Sequence, residues 1–130
     1  METILEIKEI DGEYKDIKQD ICGWEVRTNK RELYCLIASF QDCCEDWGYI
    51  ISEDKPDYFI GATLLSVTEV DDELKVKDVA FDSIDDYSSV FINFETSKGT
   101  FQLTVYNGHN GYYGHEVYYT TDSGTKWDKI

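Results

Sequence analysis

Basic residues are scarce in this sequence. Lys and Arg together number 12 against 27 Asp and Glu, a formal net charge of −15. A surface this negative repels free nucleic acid and anionic membrane and attracts basic partners, while also serving solubility. No apolar stretch approaches the roughly 18 residues needed to cross a bilayer. The opening Met1-Glu2-Thr3-Ile4-Leu5-Glu6-Ile7-Lys8 has neither a basic n-region nor an apolar h-region, so we expect no signal peptide and a cytoplasmic location. Thiols stay reduced in a cytoplasm. Cys22, Cys35, Cys43 and Cys44 are then free thiols or metal ligands rather than a disulfide frame. Cys-x-x-Cys spacing is absent, histidine occurs twice, the only proline is Pro56, and no repeat or low-complexity tract is visible.

Apolar and aromatic side chains, in contrast, are plentiful. Hydrophobic residues make up 42% and aromatics 15% of 130 residues, enough for one domain with its own core and too many for intrinsic disorder. They fall in short alternating segments separated by turn residues, which predicts an α+β, mostly β fold: a twisted antiparallel sheet of hairpins with one or two short helices. Val90, Ile92, Phe94 and Thr96 share one face, Ser97-Lys98-Gly99 turns the chain, and Phe101, Leu103 and Val105 return. The glycine accommodates the positive φ of such a turn. A third strand is expected over residues 116–121, whose edge could pair with a second copy. Another hairpin is expected over 21–28 and 32–40, and strands over 47–51 and 62–70. Residues 74–81 should continue the sheet. Residues 54–61, with an acidic start, Pro56 and a closing Gly61, read as one helical turn. In the first 20 residues, Ile4, Ile7 and Ile10 have near-helical spacing, and a helix and a strand with turns both fit.

The acidity is concentrated. Residues 42–86 hold 14 acidic and 3 basic residues, whereas residues 87–125 hold 3 and 1. The clusters are Asp42/Glu45/Asp46, Glu53/Asp54/Asp57, Asp71/Asp72/Glu73 and Asp82/Asp85/Asp86. They fall at expected turns, where solvated carboxylates ordinarily go. Gathered on one face, they could instead compete for a basic groove that normally holds nucleic-acid phosphates.

The densest chemistry lies in Gln41-Asp42-Cys43-Cys44-Glu45-Asp46-Trp47. Adjacent cysteines in a strand point to opposite faces, so both reach one metal only where the backbone turns. A tetrahedral Zn²⁺ site could draw on Asp42, Cys43 or Cys44 and a remote His109 or His115; otherwise one cysteine is a small core residue. A thiol hydrolase would need Cys43 or Cys44 with His115 as base. The surrounding carboxylates raise a thiol pKa and work against that nucleophile, so we expect no enzyme here. In the loop Asn107-Gly108-His109-Asn110-Gly111-Tyr112-Tyr113-Gly114, Tyr112 and Tyr113 would point different ways. One can pack inward while the other offers the large, low-entropy contact typical of interfaces.

The Gln41-Asp42-Cys43-Cys44-Glu45 run, then Ile60-Gly61 leading to Leu65 and Glu69, then Asn110-Gly111-Tyr112-Tyr113, resembles a family of small acidic phage and prophage proteins of unknown function. The resemblance covers roughly residues 21–121. Where relatives carry a histidine before the cysteine run, this chain has Ser39-Phe40. Such small acidic proteins include anti-CRISPR inhibitors, and this likeness implies a protein partner with a basic surface, a type II CRISPR effector nuclease, inside a bacterial host. From the net charge of −15 we expect no direct nucleic-acid or membrane contact. Carried over residue by residue, the motif gives Asp42, Cys43, Cys44 and Glu45 as the conspicuous site, with Tyr112 and Tyr113 nearby or at the interface. The charge clusters supply Asp71, Asp72, Glu73, Asp82, Asp85 and Asp86 as contact residues, and the donor chemistry gives Asp42, Cys43, Cys44 and His115 as the candidate metal set. A zinc-stabilised adaptor or regulatory domain is the alternative, and a thiol hydrolase a third.

Overall fold

Alternation of apolar and polar side chains marks the hairpin over residues 90–105, whereas Leu33 to Ala38 reads as a continuous apolar run, buried on both faces. The computed structural model describes residues 1–13, 20–39, 46–70, 88–108 and 115–130. Its strands are β1 (Ile4–Glu13), β2 (Asp20–Thr28), β3 (Glu32–Ala38), β4 (Asp46–Ile51), β5 (Leu64–Val70), β6 (Ser88–Thr96), β7 (Gly99–Gly108), β8 (Glu116–Thr121) and β9 (Gly124–Lys129). They form two antiparallel sheets, one of five strands in the order β1-β2-β3-β8-β9 and one of four in the order β4-β7-β6-β5. The mostly-β, antiparallel expectation holds, with the hairpins divided between two sheets. Residues 74–81 lie outside the described residues.

The sheets stack face to face over one shared core. Trp24, Cys35, Ile37 and Val117 contribute from the five-stranded sheet, and Val67, Ile92, Phe94 and Leu103 from the other. Each fully buried Val, Leu, Ile or Phe side chain contributes about 1.5–3 kcal/mol. Phe94 and Phe101 are directly opposite in the β6–β7 ladder and stack with centroids 4.8 Å apart. This cross-strand aromatic pair fixes the hairpin register.

The N-terminal ambiguity resolves as a strand with an irregularity. The register shifts between Ile4 and Glu6, an offset that lets Ile4 and Ile7, three residues apart, both bury in the shared core. Ile10 instead packs on the outer face, against the smaller cluster of Ile21, Tyr34 and Leu36. The expected helical turn is a single 3-10 turn, Pro56–Phe59, with proline at its start. It seats Phe59 against Phe101, centroids 4.8 Å apart.

At one end of the sandwich the sheets are tied by polar contacts. Thr3 bridges Thr63, and Asp122 N–H donates to Val67 O at 2.9 Å. Within the five-stranded sheet, Arg31 donates to Glu2 and to Asp122, both at 2.8 Å, and Thr28 Oγ1 donates to Glu2 at 2.7 Å, so Asp122 is held on the side that reaches β5. β8 lies between β3 and β9, so residues 116–121 are an interior strand and β9 is the edge.

Candidate functional site

The opposite end of the sandwich is where the chemically conspicuous segments attach. Glu13 pairs with Asp20, and Ser39 N–H donates to Asp20 O at 3.0 Å. Asp46 and Ser88 lie opposite Gly108 and Asn107, and His115 pairs with Ile130. The strand ends that flank segments 14–19, 40–45, 71–87 and 109–114 are therefore all at this one end. Asp42, Cys43 and Cys44 lie outside the described residues, as do Asp71, Asp72, Glu73, Asp82, Asp85, Asp86, Tyr112 and Tyr113. Each belongs to a segment whose described anchors are at this end.

His115 is the described member of the sequence-derived metal set. It is fully buried. Its N–H donates to Ile130 O at 2.7 Å and its carbonyl accepts from Ile130 N–H at 2.9 Å, so its main chain continues the β8–β9 ladder by one pair. Its Nδ1 is 2.7 Å from Ala38 O. A carbonyl can only accept, so Nδ1 carries a proton, and in the neutral ring the lone pair lies on Nε2. The ring lies against Trp47, centroids 5.1 Å apart. Asn107 Nδ2 donates to Ile130 O at 3.0 Å. The ends of β3, β4, β7 and β8 thus meet around one buried imidazole, which fixes where the attached segments leave the scaffold. A backbone carbonyl on Nδ1 is the support that orients metal-binding histidines, and it is equally the support of a structural one. Among the described residues, no group of three or more His, Cys, Asp or Glu is placed to hold a metal ion, so any further ligands to His115 would come from outside them.

The family model for a domain of unknown function, DUF7448, matches residues 3–119. The chain belongs to the DUF7448 family. No curated protein and no solved structure matches it. The matched span takes in β1 to β7 and ends inside β8, so Asp122 and β9 lie beyond it.

Two of the four cysteines have a settled role in the domain. Cys35 is fully buried, and burial pushes its thiol up to about 12. Cys22 is pushed up to about 11, first by burial and then by the Asp11 charge. Both are neutral thiols in the core at physiological pH, and neither is a nucleophile or a ready ligand.

Sequence reasoning missed the polar margins of the sandwich. On one side, Tyr49 donates to Glu9 at 2.9 Å; burial and then this carboxylate push its hydroxyl up to about 12. On the other, a groove of about 330 Å³ runs between β5 and the β8–β9 turn, lined by Val67, Glu69, Asp122 and Lys126 among others. Glu69 there accepts from Tyr119 at 3.3 Å and pairs with Lys126 at 3.4 Å, while Asp122 pairs with Arg31 outside the groove. Spacing gives no signal for such contacts, because they join residues 40 to 57 positions apart.

Proposed function

We propose that this domain is a binding inhibitor, not an enzyme, that presents carboxylates from one end of a rigid β-sandwich to a basic, nucleic-acid-handling protein. In its specific form it is an anti-CRISPR-like inhibitor of phage origin that acts in the cytoplasm of a bacterial host. It hinders DNA loading by a type II CRISPR effector nuclease. The observation that supports this reading is the common anchoring of the acidic segment 71–87, the Cys43-Cys44 segment and the Tyr112-Tyr113 segment at one end. Segment 71–87 alone holds 7 acidic and 2 basic residues. Carboxylates concentrated there would pair with Lys and Arg in a channel built for phosphates, and the release of counterions would drive binding and make it salt-sensitive. Tyr112 and Tyr113 would add apolar contact beside the charges.

The test reverses Asp71, Asp72, Asp85 and Asp86 to Lys and measures inhibition of DNA loading and cleavage. Inhibition should be lost, and in the wild type it should weaken steeply from low to moderate ionic strength. Unchanged inhibition by the reversed variant would defeat the charge argument.

A second reading is a zinc-stabilised adaptor or regulatory domain, favoured by the way Ala38 O holds His115 Nδ1 at 2.7 Å. The residues fit a metal in their donor chemistry: Cys43, Cys44 and Asp42 with His115 Nε2 would offer sulfur, oxygen and nitrogen to Zn²⁺. Bound there, Zn²⁺ would supply structural cross-linking. Elemental analysis of protein purified without added metal should then give one zinc per chain, and chelator should lower the melting temperature. Substoichiometric zinc with no chelator effect would remove this reading.

A further inference from the structure

The five-stranded sheet ends on β9, and every residue of β9 is exposed. In an antiparallel ladder, opposite residues alternate between pairs that exchange both main-chain hydrogen bonds and pairs that exchange none. His115 and Ile130 exchange both bonds. The next pair, Glu116 with Lys129, is therefore of the open kind, and so are Tyr118 with Trp127 and Thr120 with Thr125. The main-chain N–H and C=O groups of Thr125, Trp127 and Lys129 consequently point away from β8, along the free edge. No backbone partner for them lies among the described residues, and Lys129 N–H turns to the carboxylate of Asp128 at 2.8 Å.

We infer that β9 is a homodimerisation edge, which pairs antiparallel with β9 of a second copy about a two-fold axis through Trp127. The sequence of the strand selects this occupant and this register. Centred on Trp127, the pairing sets Lys126 opposite the second copy's Asp128, and Asp128 opposite its Lys126. Both contacts fall in the open pairs, where side chains approach most closely. The hydrogen-bonded pairs are Thr125 with Lys129, Trp127 with Trp127, and Lys129 with Thr125, so every outward group finds a partner once Lys129 N–H exchanges the Asp128 carboxylate for the second copy's Thr125 carbonyl. The two registers nearest to it that keep the bonding phase place Lys126 opposite itself or Asp128 opposite itself, and both are repulsive. On the outer face, Trp127 is 55% exposed and rests on Tyr118 with centroids 4.5 Å apart, while Tyr118 lies 5.8 Å from Tyr34. Pairing would continue this aromatic row across the axis and cover the exposed indole. In a chain of net charge −15, β9 carries two Lys and one Asp, so the strand itself adds nothing to the repulsion between two copies.

Sedimentation velocity over a concentration series, at a salt level where the Debye length is about 8 Å, tests the proposal. Wild type should form a dimer. Lys126→Asp and Asp128→Lys should each weaken dimerisation by at least about tenfold, because each turns two attractive contacts into two repulsive ones. The combined Lys126→Asp/Asp128→Lys swap should restore it. In the wild type, the Trp127 amide should gain protection from hydrogen exchange as concentration rises. A protein that stays monomeric as it nears the millimolar range overturns the proposal. So does a dimer indifferent to both single reversals, or one that the swap fails to restore.

Discussion

Replacing Gly23 by alanine should damage the fold more than the same change at Gly12, and the structure says by how much. Both glycines have positive φ, +147° at Gly23 and +126° at Gly12, so alanine meets backbone strain of about 1–2 kcal/mol at either. Only at Gly23 is there no room. A Cβ there would sit 2.2 Å from Cys35 O and 2.9 Å from Leu36 Cα, whereas at Gly12 nothing lies within 4 Å. The obstructing atoms are main chain of β3, itself bonded on its other side to β8, so relief requires moving the centre of the five-stranded sheet. Forced overpacking of this kind costs a further ~1–3 kcal/mol. Gly23→Ala should therefore lose about 2–5 kcal/mol in total, a large share of the 5–15 kcal/mol that holds a domain together. Urea unfolding of the two variants beside wild type measures both terms, provided the three share one m-value. A Gly23→Ala variant no less stable than Gly12→Ala would show that β2 and β3 do not approach as described.

Two further outcomes follow from the polar contacts and the core. Arg31→Met should cost about 1 kcal/mol at neutral pH, because Arg31 bonds both Glu2 and Asp122 at 2.8 Å. Burial pushes both carboxyls up, but hydrogen bonds outweigh it and hold them below their ordinary values of 4.5 and 3.8. Those bonds come from Arg31 and Thr28 at Glu2, and from Val67 N–H and Arg31 at Asp122. A lowered folded pKa gives stability that is present above the unfolded value and lost as pH falls through the folded one. The gap between wild type and variant in urea midpoint should accordingly close in acid; a gap that persists at low pH would refute the ion-pair origin. Cys22 and Cys35, raised to about 11 and 12 by burial, contribute stability that is complete below the ordinary 9.0 and lost as pH climbs through the raised values. Peptide mass spectrometry after iodoacetamide treatment at mildly alkaline pH should find both unlabelled until urea is added. Rapid labelling of Cys35 in the native protein would contradict its burial.

How much of this was legible in the sequence depends on whether the signal was periodic or spatial. The Val90–Phe94 and Phe101–Val105 alternation is local, and it located β6, β7 and their shared inner face. Pro56 and Gly61 framed the 3-10 turn because proline fixes its own φ and glycine permits the positive φ, +90°, at which the chain leaves it. The isoleucines at 4, 7 and 10 left helix and strand both open because a register shift between Ile4 and Glu6 changes which face each residue takes, and periodicity cannot see an irregularity in the pairing. β9 went unread since Gly-Thr-Lys-Trp-Asp-Lys buries neither face and so has no apolar alternation. Its identity as a strand comes from β8. His115 was picked for its chemistry, but its burial and its bond to Ala38, 77 positions away, are properties of the fold alone.

The two ends of the sandwich are held by different means, and this separates stability from binding. At the end bearing Glu2, Arg31 and Asp122, hydrogen bonds between Asp122 and Val67 and between Leu64 and Glu2 join the sheets directly, and the Arg31 ion pairs tie strand ends within the five-stranded sheet. At the other, a buried imidazole and the Asn107–Ile130 contact fasten the strand ends, and the conspicuous carboxylates attach beyond them. Each of these contacts at the two ends joins two described residues, so reversing Asp71, Asp72, Asp85 and Asp86 replaces a partner in none of them. The reversal also lowers the net negative charge, which relieves self-repulsion in the compact state. The reversed variant should therefore unfold at a urea concentration no lower than wild type, so that a loss of inhibition in it reports on the contact with the partner. A variant that lost stability and inhibition together would mean that these carboxylates belong to the scaffold, and the separation of the two ends would fall with it.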